Sequence, residues 1–229
     1  MRQCLGREEA RDAILDACGR LLERYGYRKM TVDDIAHEAG VGKGTVYLHF
    51  QSKEEVALSW IARGSKQLHA RLAAIARSPG PPERRLREML IARVLFRFDA
   101  LQGMRESIDE LCSTIRASLL AQREQYHKEE ARIFADVVRE GQACGVFAQR
   151  DPTEVGRSLL LATNSLLPYS LSVSQLGARA EIDAKVRALA DLLLTGLLAR
   201  ALPEEHRDAQ ATLGYDGSIE THGLRGGIG

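Results

Sequence analysis

Long apolar runs are missing from this chain. The richest stretch, Leu159 to Leu171, is broken by Thr163, Asn164, Ser165 and Pro168, short of the roughly 18 uninterrupted apolar residues of a membrane span. The N-terminus is charged from Arg7 onward and shows no apolar signal segment. Cysteine is scarce: Cys4, Cys18, Cys112 and Cys144 stand far apart with no Cys-x-x-Cys pair, a pattern that predicts a reduced, cytoplasmic protein. Neither sign of charge is in excess, with 32 Lys and Arg against 31 Asp and Glu for a formal net charge of +1. Bulk attraction to nucleic acid is thereby excluded, and any DNA-binding role must rest on local placement of cations. Strand signals are nearly absent, because β-branched and aromatic residues are scattered and apolar positions do not alternate. No glycine-rich phosphate loop follows a strand, the histidines lack metal-ligand spacing, and no repeat of fixed period occurs. No cofactor is implied.

What is present is helical periodicity over 229 residues, of which 45% are hydrophobic and 28% charged. That length predicts a small domain fused to a larger one. Ile14, Cys18, Leu21, Leu22 and Tyr25 form one apolar stripe on a helix from about Arg7, stopped by Gly26. Thr31 offers a hydroxyl to the first amides of a short second helix with Asp33 and Asp34 in its first turn, and Gly40 ends it. A third short helix runs from Lys43 to about Phe50, and Ser52 with Glu54 and Glu55 reads as the cap of a long fourth helix to about Arg77. After the turn Ser78-Pro79-Gly80-Pro81-Pro82, helical patterns occupy about 82–101, 104–120, 121–143, 151–171 and 179–201. The fold class is all-α, and the segment from about Pro203 to the end, polar and without a periodic face, reads as a disordered tail.

Two short helices joined by a tight glycine-containing turn and braced on a longer first helix make a helix-turn-helix, whose second member enters the major groove. At 100° per residue Val46 and Phe50 turn inward on the third helix, while Gly44, Thr45 and Leu48 sit around the opposite side. That face is short and uncharged: Gly44 admits close backbone approach, Thr45 can bond a base edge, and Leu48 can lie on a thymine methyl. Lys43, Tyr47 and His49 flank it within reach of phosphates, although half-buried packing is the competing reading for Tyr47. Thr31 at the start of the second helix and Lys53 at the start of the fourth complete the set of phosphate contacts.

The segment Thr31-Val-Asp-Asp-Ile-Ala-His-Glu-Ala-Gly-Val-Gly-Lys-Gly-Thr-Val-Tyr-Leu-His-Phe-Gln-Ser-Lys53 resembles the DNA-binding signature of the TetR/AcrR family of bacterial transcription regulators over roughly residues 10 to 56. The resemblance implies an N-terminal three-helix helix-turn-helix domain over 1–52, joined through a long helix to a helical effector-binding and dimerisation domain over 53–202, with 203–229 as tail. It also implies a homodimer built on the last two long helices and a small-molecule cavity in the larger domain. Carried over by position, Thr31, Lys43, Tyr47, His49 and Lys53 match phosphate-contacting residues, and Gly44, Thr45 and Leu48 match the base-reading set. Two positions depart from the family pattern. Gly42 stands where members usually carry Ser or Thr, at a cost of a few tenths of a kcal/mol as a helix cap, and Leu48 stands where a polar or aromatic residue is common.

Phe96, Phe98, Met104, Cys112, Arg116, Tyr126, Asn164 and Tyr169 are the candidate lining of an effector cavity between helices, with ordinary core packing as the alternative for each. The polar break Thr163-Asn164-Ser165 fits a cavity or a polar contact across a dimer interface equally well. Val155, Leu159 and Leu166, then Ile182, Val186, Leu189, Leu193 and Leu197, make stripes that further leucines widen past one face, so the last two helices need a second partner. The reading is a ligand-responsive repressor, not an enzyme, that binds a palindromic operator as a homodimer. The alternative, a helical ligand-binding or metal-dependent protein with a vestigial helix-turn-helix, rests on Glu124-x-x-His127, which has no second Glu-x-x-His to complete a di-metal site.

Overall fold

A computed structural model describes residues 6–104, 108–167 and 177–199. Tyr169 and the tail from Pro203, both assigned roles from sequence, lie outside the described residues, as does most of the segment joining the last two helices. The described residues carry nine α-helices: α1 Arg7–Lys29, α2 Val32–Glu38, α3 Lys43–His49, α4 Lys53–Ala76, α5 Pro82–Ala100, α6 Ile108–Thr114, α7 Arg116–Ala143, α8 Pro152–Asn164 and α9 Arg179–Leu197. No strand of regular length occurs among them; Phe147 and Leu198 form a single isolated bridge.

Local chemistry accounts for the helix starts. The Thr31 hydroxyl accepts from Asp34 N at 3.2 Å, and the Ser52 hydroxyl accepts from Glu55 N at 3.1 Å, each filling an otherwise unpaired first-turn donor. Pro82 occupies the first turn of α5, where its missing N–H costs nothing. Gly26 breaks α1 with φ 77° and ψ 171°, and one further helical turn follows it before the chain leaves at Met30.

Two boundaries differ from the sequence expectation. The break between the sixth and seventh helices falls at Ile115, not near residue 120. The Ser113 and Thr114 hydroxyls bond back to the Glu110 carbonyl at 2.9 and 2.8 Å, competing with the helix at its end, and Ile115 turns into the core. Likewise α8 ends at Asn164, well before residue 171, where the Thr163 and Ser165 hydroxyls bond back to Leu159, Leu160 and Ala162 carbonyls.

Three apolar clusters organise the packing. The first joins α1, α2 and α3 to the opening turns of α4 through Ile14, Leu22, Ile35, Val46, Phe50 and Val56, and also takes in Met104, Leu111 and Ile115. The second holds the C-terminal half of α4 against α5, α7, α8 and α9, and the third packs Phe98 with Ile182 and Val186. Helix α8 lies so close to α7 that a Cβ on Gly156 would stand 2.6 Å from the Ala131 carbonyl oxygen. Ion pairs Arg87–Asp191 at 2.6 Å and Arg179–Asp99 at 2.7 Å tie α5 to α9 at two points along their length.

Candidate nucleic-acid interface and effector cavity

Helix α3 shows solvent the face that periodicity assigns to DNA. Val46 and Phe50 are buried against α1 and α2, whereas Leu48 is 80% exposed and Tyr47 50% exposed, so Tyr47 is not core packing. A Cβ added at Gly44 would meet nothing within 4 Å, leaving open space for a partner backbone. Thr45 is half-buried beside Gly42, which caps α3 through its backbone alone. Lys43 Nζ lies 2.8 Å from Asp33 Oδ2 across the turn, and this pairing raises the lysine pKa.

Thr31 and Lys53 have internal partners that the sequence reading did not include. Thr31 donates both its amide, at 2.9 Å, and its hydroxyl, at 2.6 Å, to Asp34 Oδ2. Lys53 donates to the Tyr27 and Arg28 carbonyls at 3.0 and 3.5 Å, and its ammonium sits 4.4 Å from the centre of the Tyr27 ring. An ammonium has three donors, so one remains for an external acceptor.

Between α4, α5, α6 and α7 lies a cavity of about 290 Å³. Four of the candidate lining residues, Phe96, Cys112, Arg116 and Tyr126, face it. Phe98 and Met104 do not: both are buried in core clusters, because α9 covers the side of α5 that carries Phe98 and the helix-turn-helix covers Met104. Asn164 is also elsewhere, its Oδ1 accepting from Arg93 Nη2 at 2.8 Å. The cavity takes an apolar wall from α4, through Trp60, Ile61 and Leu68.

Beside the cavity is a buried ionic cluster that periodicity cannot reveal. Arg93 is fully buried on α5; its Nε donates to Glu130 Oε2 at 2.6 Å and its Nη1 to the Thr163 hydroxyl at 2.7 Å. Arg97, one turn on, pairs with the other oxygen of Glu130. His69 Nε2 on α4 stands 3.7 Å from that same oxygen. Burial pushes the Glu130 carboxyl up, but His69, Arg93 and Arg97 together outweigh it and hold the group far below the usual carboxylate range. Burial pushes the neighbouring His127 down to about 4, with Arg93, Arg123 and Arg97 acting in the same direction against Glu130. Glu124 faces solvent and pairs with Lys128 at 2.8 Å, so Glu124-x-x-His127 does not converge on one point. Among the described residues no three metal-ligating side chains cluster.

Residues 14–59 match the family model of bacterial regulatory proteins, tetR family. The transcriptional repressor KstR2 of Mycobacterium tuberculosis is 28% identical over 144 residues, covering 60% of this chain and 68% of that protein. A transcriptional regulator from Cytophaga hutchinsonii superposes with a TM-score of 0.68 at 20% identity, covering 82% of this chain and 98% of that one. A TetR/AcrR-family regulator from Thermobifida fusca does so with a TM-score of 0.59 at 26% identity, covering 81% and 97%. Residues 14–59 are thus a DNA-binding segment of the TetR type, and the fold over the other described residues resembles that of such regulators. The protein is a helix-turn-helix transcription regulator and not an enzyme.

The charges around α3 are few and partly paired internally, as Lys43 with Asp33 shows. What sequence reasoning missed is the ionic cluster behind the cavity. Its only legible sign was the polar break at Thr163 and Asn164, read as a cavity wall or a dimer contact; both side chains instead serve Arg93 from within the same chain. Regulators of the family bind DNA and small-molecule effectors, and the two halves of the described fold present a surface and a cavity suited to each.

Proposed function

We propose that the protein is a cytoplasmic homodimeric repressor whose paired α3 helices read a palindromic operator, and that a small molecule in the cavity releases it. Residues 1–52 serve DNA, 53–202 serve the effector and the dimer. Gly44, Thr45 and Leu48 read bases; Lys43, Tyr47 and His49 contact phosphates, with the third donor of Lys53 contributing at the edge, and Thr31 joins them if its hydroxyl turns from Asp34 to the phosphate. The observation that carries this reading is the exposed α3 face: an aliphatic side chain 80% in solvent at Leu48, beside a glycine with open space above it, is a surface built for an apolar partner such as a thymine methyl.

The dimer reading is supported by the last two helices. Leu161 on α8 and Leu192 on α9 are 68% and 70% exposed, and Ala188, Leu192 and Gly196 recur at four-residue spacing on one exposed stripe. A self-complementary two-fold interface is the economical cover for such a face. Release follows if the effector prefers the shape whose α3 helices do not fit the operator, since a ligand shifts an equilibrium only through differential affinity.

Selection of bound duplexes from a random-sequence pool with the full-length protein tests the first half, and sedimentation at micromolar concentration tests the second. An enriched palindrome and a dimer are expected. Recovery of no preferred sequence overturns the operator reading, and a monomer overturns the paired one.

A further inference from the structure

Resting on the effector reading above, we propose that the ligand is an amphipathic anion, and that its head group takes Arg97 from Glu130. Four arginines line the cavity, Arg63, Arg97, Arg116 and Arg123, and no aspartate or glutamate does. The remaining wall is largely apolar, with Trp60, Ile61, Phe96, Leu119 and Tyr126 offering a surface for a hydrocarbon or ring body. Arg63 already pairs with Asp16 at 2.6 Å and Arg97 with Glu130 behind the wall. A cationic ligand would still meet guanidiniums on every charged part of the wall, whereas a carboxylate, sulfonate or phosphate receives paired N–H donors from a planar guanidinium.

The ionic cluster behind the wall strengthens the assignment. Glu130 is one carboxylate shared between two guanidiniums, Arg93 and Arg97, so the cluster carries excess positive charge before any ligand arrives. Arg97 holds the outer place in this sharing: Arg93 is fully buried and bonded to Glu130, Thr163 and Asn164, while Arg97 lines the cavity and its Nε is buried with no hydrogen-bond partner among the described residues. A ligand anion therefore finds a guanidinium with spare donor capacity and a competing carboxylate that keeps a second cation when Arg97 leaves. His69 Nε2, also without a hydrogen-bond partner and 3.7 Å from the vacated Glu130 oxygen, is the donor placed to follow. Since His69 sits on α4, the exchange reaches the helix that carries the DNA-binding head.

The experiment titrates full-length protein with decanoate, decanol and decylamine, which share a chain and differ in head-group charge, following the fluorescence of Trp60, the sole tryptophan of the chain and part of the cavity wall. Decanoate is expected to bind at least ~10-fold more tightly than decanol, with decylamine weakest. Arg97→Met should erase the preference for decanoate over decanol while leaving decanol binding in place; Arg123→Gln, farther from the buried cluster, should reduce the same preference and keeps the test alive if the first variant does not fold. Equal or stronger binding of decanol or decylamine overturns the anion assignment, as does failure of all three to bind a protein that still selects operator DNA. Decanoate selectivity that survives both substitutions overturns the role of the arginines. Loss of DNA selection with decanoate preference intact would strike the regulator reading and leave this one standing.

Discussion

Gly19 of α1 lies directly against the indole of Trp60 on α4, where a Cβ on the glycine would stand 2.7 Å from Trp60 Nε1. At this ring the cavity wall and the DNA-binding head touch with no side chain between them. Gly19→Ala must displace the indole, since the α1 backbone is fixed by the core around Cys18 and Leu22. The expected cost is about 1–3 kcal/mol of stability from overpacking, with an altered Trp60 emission maximum in the folded protein. Urea unfolding followed by fluorescence measures both; an unchanged spectrum and midpoint would show that the contact is slack.

Gly44→Ala separates folding from DNA binding by the sign of its effects. With open space around the position, alanine should stabilise the free protein by up to about 0.5–1 kcal/mol through its better helix propensity. Specific operator affinity should nevertheless fall, because the added methyl stands between backbone and groove. Thermal denaturation and an operator titration, run side by side, are expected to move in opposite directions.

Lys43→Ala should weaken binding to all duplex sequences alike. The slope of log affinity against log salt should fall by about 0.9 for the one phosphate contact removed. Base preference at the selected operator is expected to stay as it was, and a change in it would move Lys43 from the phosphate set to the base-reading set.

Removing Glu130 leaves Arg93 buried without its anion. Glu130→Ala should cost about 3–5 kcal/mol, the range for breaking a buried pair from one side. Denaturant unfolding of the two proteins gives the difference directly, and a loss below about 1 kcal/mol would mean that water enters the cluster.

The legibility of the molecule from its sequence divides along the range of the interactions. Thr31 and Ser52 caps, the Pro82 start and the buried side of α3 are local, and the sequence reading located them because spacing and cap chemistry act within a turn or two. The exposed α3 face followed from the same 100° arithmetic. The break at Ile115 was missed since no glycine or proline marks it; the cause is a distant apolar cluster that captures the side chain. The cavity residues divided for the same reason, with Phe96 and Tyr126 on the wall but Phe98 and Met104 in core that only the packing of α9 and α1 defines. Arg93, Glu130 and His69 come from three helices, and nothing in the sequence near any one of them names the other two.

His127 gives the protein a predictable acid response. Its pKa falls from the ordinary 6.5 to about 4 because burial disfavours the charged ring. Between those values the unfolded chain binds the proton and the folded one does not, so stability is full above about pH 6.5 and declines as pH falls toward 4. Unfolding near pH 5 should take up about one proton at this site. His127→Phe should flatten that part of the stability profile, as measured by denaturant midpoints from pH 4 to 7.

Lys53 binds the last carbonyls of α1, so the head and the first turn of α4 travel as a single body. Helix α4 is then a lever arm: its 24 residues extend about 36 Å. Pivoted at its C-terminal end, a tilt of about 5° sweeps the head through about 3 Å. In a two-fold dimer the two sweeps add, against half-sites whose separation is set by the roughly 34 Å helical repeat of DNA. In the proposed dimer, a rearrangement at the cavity no larger than the exchange of one arginine's partner would thereby be magnified into a gauge error that the rigid duplex does not accommodate.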